Sequence, residues 1–260
     1  KTAYEIRNCD WSSDVCSSDL GRERLFLSPQ NKFDGHTPIR GGIPICFPQF
    51  NQRGPLPRHG FVRNMQWDAN ERVESPDIAF QDFSCATQAH TLVHWEFQFE
   101  AQFRVEIEPG QLNITLRVTN NDANILQFTG ALHTYLAVDD IALTELRGLE
   151  GLPEWDAVED AHAIAPASLH FDGEFDRVYH AGDTALHLQD GSSVLQIEQS
   201  PSWAHTVVWN PGAEKSVELP DLPDDGFARM LCVEAAQVFD TIHLEPQDQW
   251  EGWQRLRVVG

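Results

Sequence analysis

An all-β architecture, a large antiparallel β-sandwich, is the fold class this 260-residue sequence predicts. Three observations predict it. Apolar and polar residues alternate with period two over long stretches, the pattern of a strand with one buried face. Asp-Gly, Pro-Gly and Asn-Asp pairs interrupt those stretches at short intervals, as turns do. No window carries the 3.6-residue repeat of a long amphipathic helix, which argues against alternating strand and helix units.

The elements follow in chain order. Tyr4 to Leu20 (YEIRNCDWSSDVCSSDL) resembles translated sequencing-adapter read-through, so residues 1–20 are read as a non-native segment and 21–260 as a single domain. The alternative is a polar, Ser/Asp-rich loop; on either view the segment carries no chemistry. From Gly35 to Trp67 glycine and proline are frequent, which favours irregular backbone. Val93, Trp95, Phe97, Phe99, Ala101, Phe103, Val105 and Ile107 then alternate with polar residues, predicting one long strand. A Pro109-Gly110 turn follows, and Leu112, Ile114, Leu116 and Val118 repeat the alternation as the second arm of a hairpin. Further strands are predicted over 125–138, 185–188, 194–198, 205–209 and 229–238.

Composition narrows the function. Hydrophobic residues make up 41% of the chain and charged residues 22%, an ordinary globular balance. Forty acidic side chains against eighteen basic ones argue against a nucleic-acid partner, which needs a broad basic face. No apolar run approaches the roughly 18 residues a membrane helix needs, and no charged start leads into an apolar block; a cytoplasmic protein with no membrane partner is expected. Five cysteines without regular spacing fit neither a disulfide framework nor a zinc site, so reduced thiols are expected. Cys9 and Cys16 are then accidents of the foreign segment.

The formal net charge of −22 repels small anions at long range, so an anionic ligand would need a dense local cluster of donors. One segment offers it. Gly35 to Trp67 contains no Asp or Glu but holds Arg40, Arg53, Arg58 and Arg63, in a chain with only three lysines. The arginine fork suits bidentate capture of phosphate or carboxylate. The plainer reading pairs these arginines with carboxylates elsewhere in the fold. Two other residues stand out: His133 in an apolar strand context (GALHTYLAV) and Glu234 between Val233 and Ala235. A carboxylate in an apolar strand is costly unless paired, hydrogen-bonded or on a wet cleft, so Glu234 is either a structural partner or a functional base. His133 is either hydrogen-bonded in the core or catalytic.

Six segments, RGGIPICFP, HGFVRNMQW, ALHTYLAVDDI, FDRVY, VVWNP and MLCVEAAQV, occur in the order seen in D-hexose-6-phosphate mutarotases, and from about Ser28 onward the chain resembles that group of the aldose 1-epimerase superfamily. The resemblance implies a galactose mutarotase-like supersandwich with its site in a shallow cleft on one sheet. It implies that His133 is the catalytic acid and Glu234 the catalytic base, and that Arg40, Arg63 and Asp176 bind substrate. Arg58 stands where relatives often carry glutamine; it either adds a phosphate contact, alters sugar preference or faces solvent. His59 is implied to hydrogen-bond the sugar or to serve structure alone, and Tyr179, Trp209 and Asn210 to line the cleft.

The implied reaction interconverts the α and β anomers of a hexose 6-phosphate by acid–base ring opening and closure. It calls for no metal and no other cofactor, and its partner is the small sugar phosphate; a monomer is expected. A noncatalytic carbohydrate-binding β-sandwich is the alternative, since fold alone does not establish catalysis. A metal-dependent hydrolase using His59, His133 and Glu234 is disfavoured because their motifs lack a familiar ligand spacing such as HExxH.

Overall fold

In a computed structural model, residues 23–35 and 37–259 are described; the segment read as foreign, 1–20, lies outside them. Among the described residues seventeen strands form two antiparallel sheets. In chain order they are β1 (Ile45–Cys46), β2 (Asp68–Glu74), β3 (Ala79–Ala86), β4 (Phe99–Glu108), β5 (Gln111–Asn120), β6 (Leu126–Leu132), β7 (Tyr135–Ala137), β8 (Glu145–Arg147) and β9 (Pro153–Asp156). There follow β10 (Ala161–Ile164), β11 (Ser168–Leu169), β12 (Phe175–Tyr179), β13 (Leu186–Asp190), β14 (Ser193–Gln199), β15 (His205–Asn210), β16 (Met230–Leu244) and β17 (Gln249–Val259). A nine-stranded sheet has the order β11-β8-β13-β14-β17-β5-β4-β3-β2. The eight-stranded sheet runs β1-β6-β16-β15-β12-β9-β10, with β7 also on β16. Among the described residues the one α-helix is the single turn α1 (Gly212–Ser216), and no helix is long and apolar enough to cross a membrane.

The alternating residues fill the space between the sheets. Phe99, Ala101 and Phe103 of β4 and Ile114, Leu116 and Val118 of β5 meet Leu126, Phe128 and Leu132 of β6 in one cluster; Leu186, Leu188, Leu195 and Ile197 meet Val208, Leu231 and Val233 in another. The predicted hairpin is present, with Glu108 opposite Gln111 across Pro109-Gly110. Gly110 has φ 73°, a conformation glycine adopts without penalty. Cys46, Cys85 and Cys232 are buried free thiols.

Two strand predictions need correction. β4 starts at Phe99 instead of Val93, and Val93 is 79% exposed. Residues 91–94 form a turn in which the Thr91 carbonyl accepts from the amides of His94 and Trp95. Trp95 then packs edge-on against Phe47 and tilts against Phe97 and Phe99, so the aromatics fill a corner of the core and do not extend the ladder. The span 125–138 is two strands, broken at His133–Thr134. There the His133 amide donates to the Pro44 carbonyl and the Thr134 amide to Leu132 O, neither to β16.

That break leaves β16 with an unanswered carbonyl at Val233, and the opposite sheet supplies the partner. Gln254 of β17, 0% exposed, donates from Nε2 to Val233 O at 3.0 Å. Its Oε1 accepts from the Thr134 hydroxyl at 2.5 Å, and the Val233 amide donates to Thr134 O at 3.1 Å. A closed ring of three hydrogen bonds therefore joins the residues that flank His133 and Glu234. All three members are buried, where an unpaired polar group would be costly.

Candidate active site

Period two decides which side chains of β16 face outward. Leu231, Val233 and Ala235 enter the inter-sheet core, leaving Cys232, Glu234 and Ala236 on the outer face of the eight-stranded sheet. Register extends this into two rows. Val178, Val207 and Glu234 align across β12, β15 and β16; Asp176, Trp209, Cys232 and Tyr135 align beside them. His133, displaced from the ladder by the strand break, closes the first row.

His133 Nε2 lies 3.3 Å from Glu234 Oε1. Both side chains are buried, and His133 Nδ1 and Glu234 Oε2 each lack a partner among the described residues. The imidazole stacks on Tyr135, centroids 4.8 Å apart and planes 12° apart, which holds the ring's orientation. Burial pushes Glu234 well above the usual carboxylate range, with a further push from Asp176 and an opposing pull from Arg58. Burial drives His133 well below the usual histidine range, helped by His59, Arg63 and Arg40. Both shifts favour the uncharged pair, in which one proton rests on Glu234 beside a neutral His133. Passing it across the 3.3 Å contact interconverts acid/imidazole and carboxylate/imidazolium without exchange with solvent.

The acid-free segment covers this pair. His59 sits at φ 63°, a left-handed conformation that costs a non-glycine residue roughly 1–2 kcal/mol. The following Gly60 is required by space, since a Cβ there would stand 2.1 Å from Phe47 O. His59 Nδ1 accepts from the Asn51 amide and faces the Cys46 thiol at 3.2 Å, so its remaining proton resides on Nε2. Burial and the charges of Arg63, Arg58 and Arg40 lower its pKa to about 3. His59 is therefore a fixed neutral donor, its ring 5.4 Å from that of His133.

The four arginines divide between the two readings of the sequence. Arg40 is paired: its Nη2 donates to Asp221 at 3.0 Å, its Nη1 to the Tyr135 hydroxyl at 3.1 Å, and its guanidinium lies over Trp209. Arg53 stacks over Trp155 and Phe239. Arg63 donates from Nη2 to the Arg58 carbonyl and keeps a buried Nε with no partner among the described residues. Arg58 is exposed, and its charge bears on His59, Asp176 and Glu234. Asp176, half-buried, has its pKa pushed up by burial to about 6, against the pull of Arg58.

Tyr179 and Asn210 do not line the cleft. Tyr179 is fully buried in the inter-sheet core, one residue out of phase with the outward Val178. Asn210 donates to the carbonyls of Phe227 and Met230 and accepts from the Gly212 amide, so its amide is consumed in joining β15 to the start of β16. Trp209 is outward as expected, packed with Tyr135 and Cys232. Sequence reasoning passed over Tyr135 and Cys232 as members of the site. The available signal was spacing: Tyr135 is two residues from His133 and Cys232 two from Glu234, the strand's same-face interval.

A family model described as aldose 1-epimerase matches residues 16–257. The chain belongs to the aldose 1-epimerase family. A protein of Cenchrus ciliaris with the provisional name glucose-6-phosphate 1-epimerase is 36% identical over 93% of this chain and 77% of its own. One from Escherichia coli K12 with the same provisional name is 32% identical over 91% of this chain and 80% of its own. The crystal structure of a provisionally named mutarotase from Salmonella typhimurium superposes with a TM-score of 0.83 at 27% identity, covering 91% of this chain and 80% of that one. The two-sheet architecture is thus that of the mutarotase-like members of this epimerase family.

Proposed function

We propose that this epimerase interconverts the α and β anomers of hexose 6-phosphates, glucose 6-phosphate being the substrate its relatives' names suggest. The observation that carries the mechanism is the 3.3 Å contact between His133 and Glu234 on the outer sheet face, each with a second buried polar atom unpartnered. In the proposed reaction Glu234 accepts the proton of the anomeric hydroxyl as protonated His133 gives one to the ring oxygen. The C1–O5 bond breaks to the open aldehyde. Rotation about C1–C2 presents the other face, and closure with the transfers reversed returns both protons to their origins. The pair's single shared proton suits it to this cycle, because the reactive ionic form arises by internal transfer.

The arginines account for the phosphate. Arg63 and Arg58, which form no ion pair with a carboxylate among the described residues, are read as its ligands, and the buried Nε of Arg63 supplies a waiting donor. Arg40 contributes through the wall it makes with Tyr135 and Trp209 and through its charge. His59 Nε2 donates to the sugar, and Asp176 accepts from a sugar hydroxyl. On this reading residues 21–260 act as one unit, a cytoplasmic monomer with a small-molecule partner and none of nucleic acid.

The test is anomer exchange by NMR at equilibrium, for glucose 6-phosphate and for glucose, with the wild type and Glu234→Gln. Faster exchange favouring the phosphate and lost in the variant supports the proposal. Ligand broadening without faster exchange would instead support the noncatalytic sugar-phosphate binder, which no comparison favours.

A further inference from the structure

The same-face spacing that turns Glu234 to the outer face of the sheet also places a buried thiol beside it. One donor atom from each of His133, Cys232 and Glu234 lies within 4.8 Å of the other two. An imidazole nitrogen, a thiolate sulfur and a carboxylate oxygen form a donor set for a borderline-soft divalent cation. Zinc holds such atoms at roughly 2.0–2.1 Å for N, 2.0–2.2 Å for O and 2.3 Å for S. Tetrahedral bonds of those lengths set N and O roughly 3.3–3.5 Å apart, and His133 Nε2 and Glu234 Oε1 already stand at 3.3 Å. His133 Nε2 and Glu234 Oε1 contact each other, so ligation replaces that one contact, while Nδ1 and Oε2 have no protein partner among the described residues to lose. The stack on Tyr135 fixes the imidazole, as ligand rings in metal sites are commonly fixed.

We propose that His133, Cys232 and Glu234 form a site for a thiophilic divalent cation of the Zn2+ class, and that its occupancy reversibly inhibits the enzyme. The binding claim stands on geometry alone; the inhibition rests on the reading of His133 and Glu234 as the catalytic pair. Binding forms M–S, M–N and M–O bonds. The Cys232 thiol proton and the proton shared by the His133–Glu234 pair leave to solvent, so the bound cation is matched by one thiolate and one carboxylate. That neutral sum matters, because Arg40 acts electrostatically on Cys232, Arg58 on Glu234 and Arg63 on His133, and all three oppose an uncompensated cation. The fourth position is open to water or a sugar hydroxyl. With both proton-transfer atoms on the metal, neither can serve the sugar.

Co2+ is the probe for binding and Zn2+ for inhibition, each added to the full chain and to its Cys232→Ala and Cys232→Ser variants after circular dichroism shows each folded. One equivalent of Co2+ should produce a near-ultraviolet sulfur-to-cobalt charge-transfer band in the wild type and none in either variant. Zn2+ should suppress anomer exchange of glucose 6-phosphate, EDTA should restore it, and Cys232→Ala, measured against its own metal-free rate, should need about tenfold more Zn2+ or higher for the same fractional suppression. A band that survives in both variants assigns the thiolate to another cysteine and overturns the site. A band lost in the variants with Zn2+ inhibition undiminished overturns the inhibitory role. Should the chain turn over no hexose phosphate at all, the cobalt band still decides the site, so failure of the proposed function and failure of the metal site read out separately.

Discussion

Replacing Gln254 by methionine should slow turnover without touching the sugar. The side chain lies between the sheets, on the opposite side of β16 from Glu234, and among the described residues its amide hydrogen-bonds Thr134 and Val233. Methionine keeps length and approximate volume but neither accepts strongly nor donates, so the Thr134 hydroxyl and the Val233 carbonyl each lose a buried partner. Each such loss costs about 1–3 kcal/mol, less the gain from burying a thioether, for a total of about 2–4 kcal/mol. In a chain of this size that lowers Tm by roughly 5–15 °C. Thr134 and Val233 each adjoin a catalytic residue, and their separation sets that between His133 and Glu234. A shift there costing about 1.4 kcal/mol of transition-state stabilisation lowers kcat about tenfold. KM should hold, because no substrate contact changes. The assay is steady-state anomer exchange at several glucose 6-phosphate concentrations at 20 °C, beside a thermal melt. Thr134→Val combined with Gln254→Met should cost less than the sum of the single changes, since it removes a hydrogen-bonded pair together. A variant that melts early yet keeps the wild-type kcat would refute the bracing role and leave Gln254 a purely structural residue.

Other outcomes follow from the same geometry. Glu234→Gln should lower kcat by about 10²- to 10⁴-fold, while isothermal titration still detects sugar phosphate; undiminished turnover would remove Glu234 from the mechanism. Arg63→Ala should raise KM for glucose 6-phosphate about 10- to 100-fold, the loss of one charge-assisted contact, with little effect on free glucose; equal losses on both would point to misfolding. The rate should show a broad plateau against pH, falling in acid where the His133–Glu234 pair gains a second proton and in base where it loses its only one, because burial pushes Glu234 up and His133 down; a single narrow peak at the ordinary histidine pKa would contradict the shared proton. Stability should fall as pH drops from about 6.5 towards 3, because His59, at about 3, and His205, at about 4, take protons more readily in the unfolded chain. His59→Asn, which tolerates the positive φ, should flatten that slope in urea titrations at stepped pH.

What the sequence disclosed tracks how local the cause was. The β4–β5 hairpin was legible because alternation and a Pro-Gly turn act within twenty residues, and because both strands keep one face on the core. The start of β4 was misplaced because alternation cannot distinguish a ladder from a loop whose aromatics happen to pack: Trp95 packs on Phe47, distant in the chain, and Phe97 packs on Trp95. The interruption at His133 was hidden for a related reason. Nothing in ALHTYLAV says that Leu132 and Pro44 will take the hydrogen bonds a continuous strand would give to β16, nor that a glutamine more than a hundred residues later will answer the carbonyl left over.

The charge pattern behaved differently again. The absence of acids from Gly35 to Trp67 is a compositional fact about the neighbourhood of one site, and it located the segment that covers His133 and Glu234. It could not say which arginine would be free, because that depends on where distant carboxylates come to rest. Asp221 reaches Arg40, and none among the described residues reaches Arg63. A carboxylate introduced next to Arg63 in the chain, by Asn64→Asp for instance, should therefore offset part of the positive charge offered to the phosphate. It should weaken glucose 6-phosphate binding while sparing free glucose, and added salt should partly relieve the effect by screening the new pair. If Asn64→Asp instead weakens both sugars alike, Arg63 is not where the phosphate is read, and the exposed Arg58 becomes the group to change next.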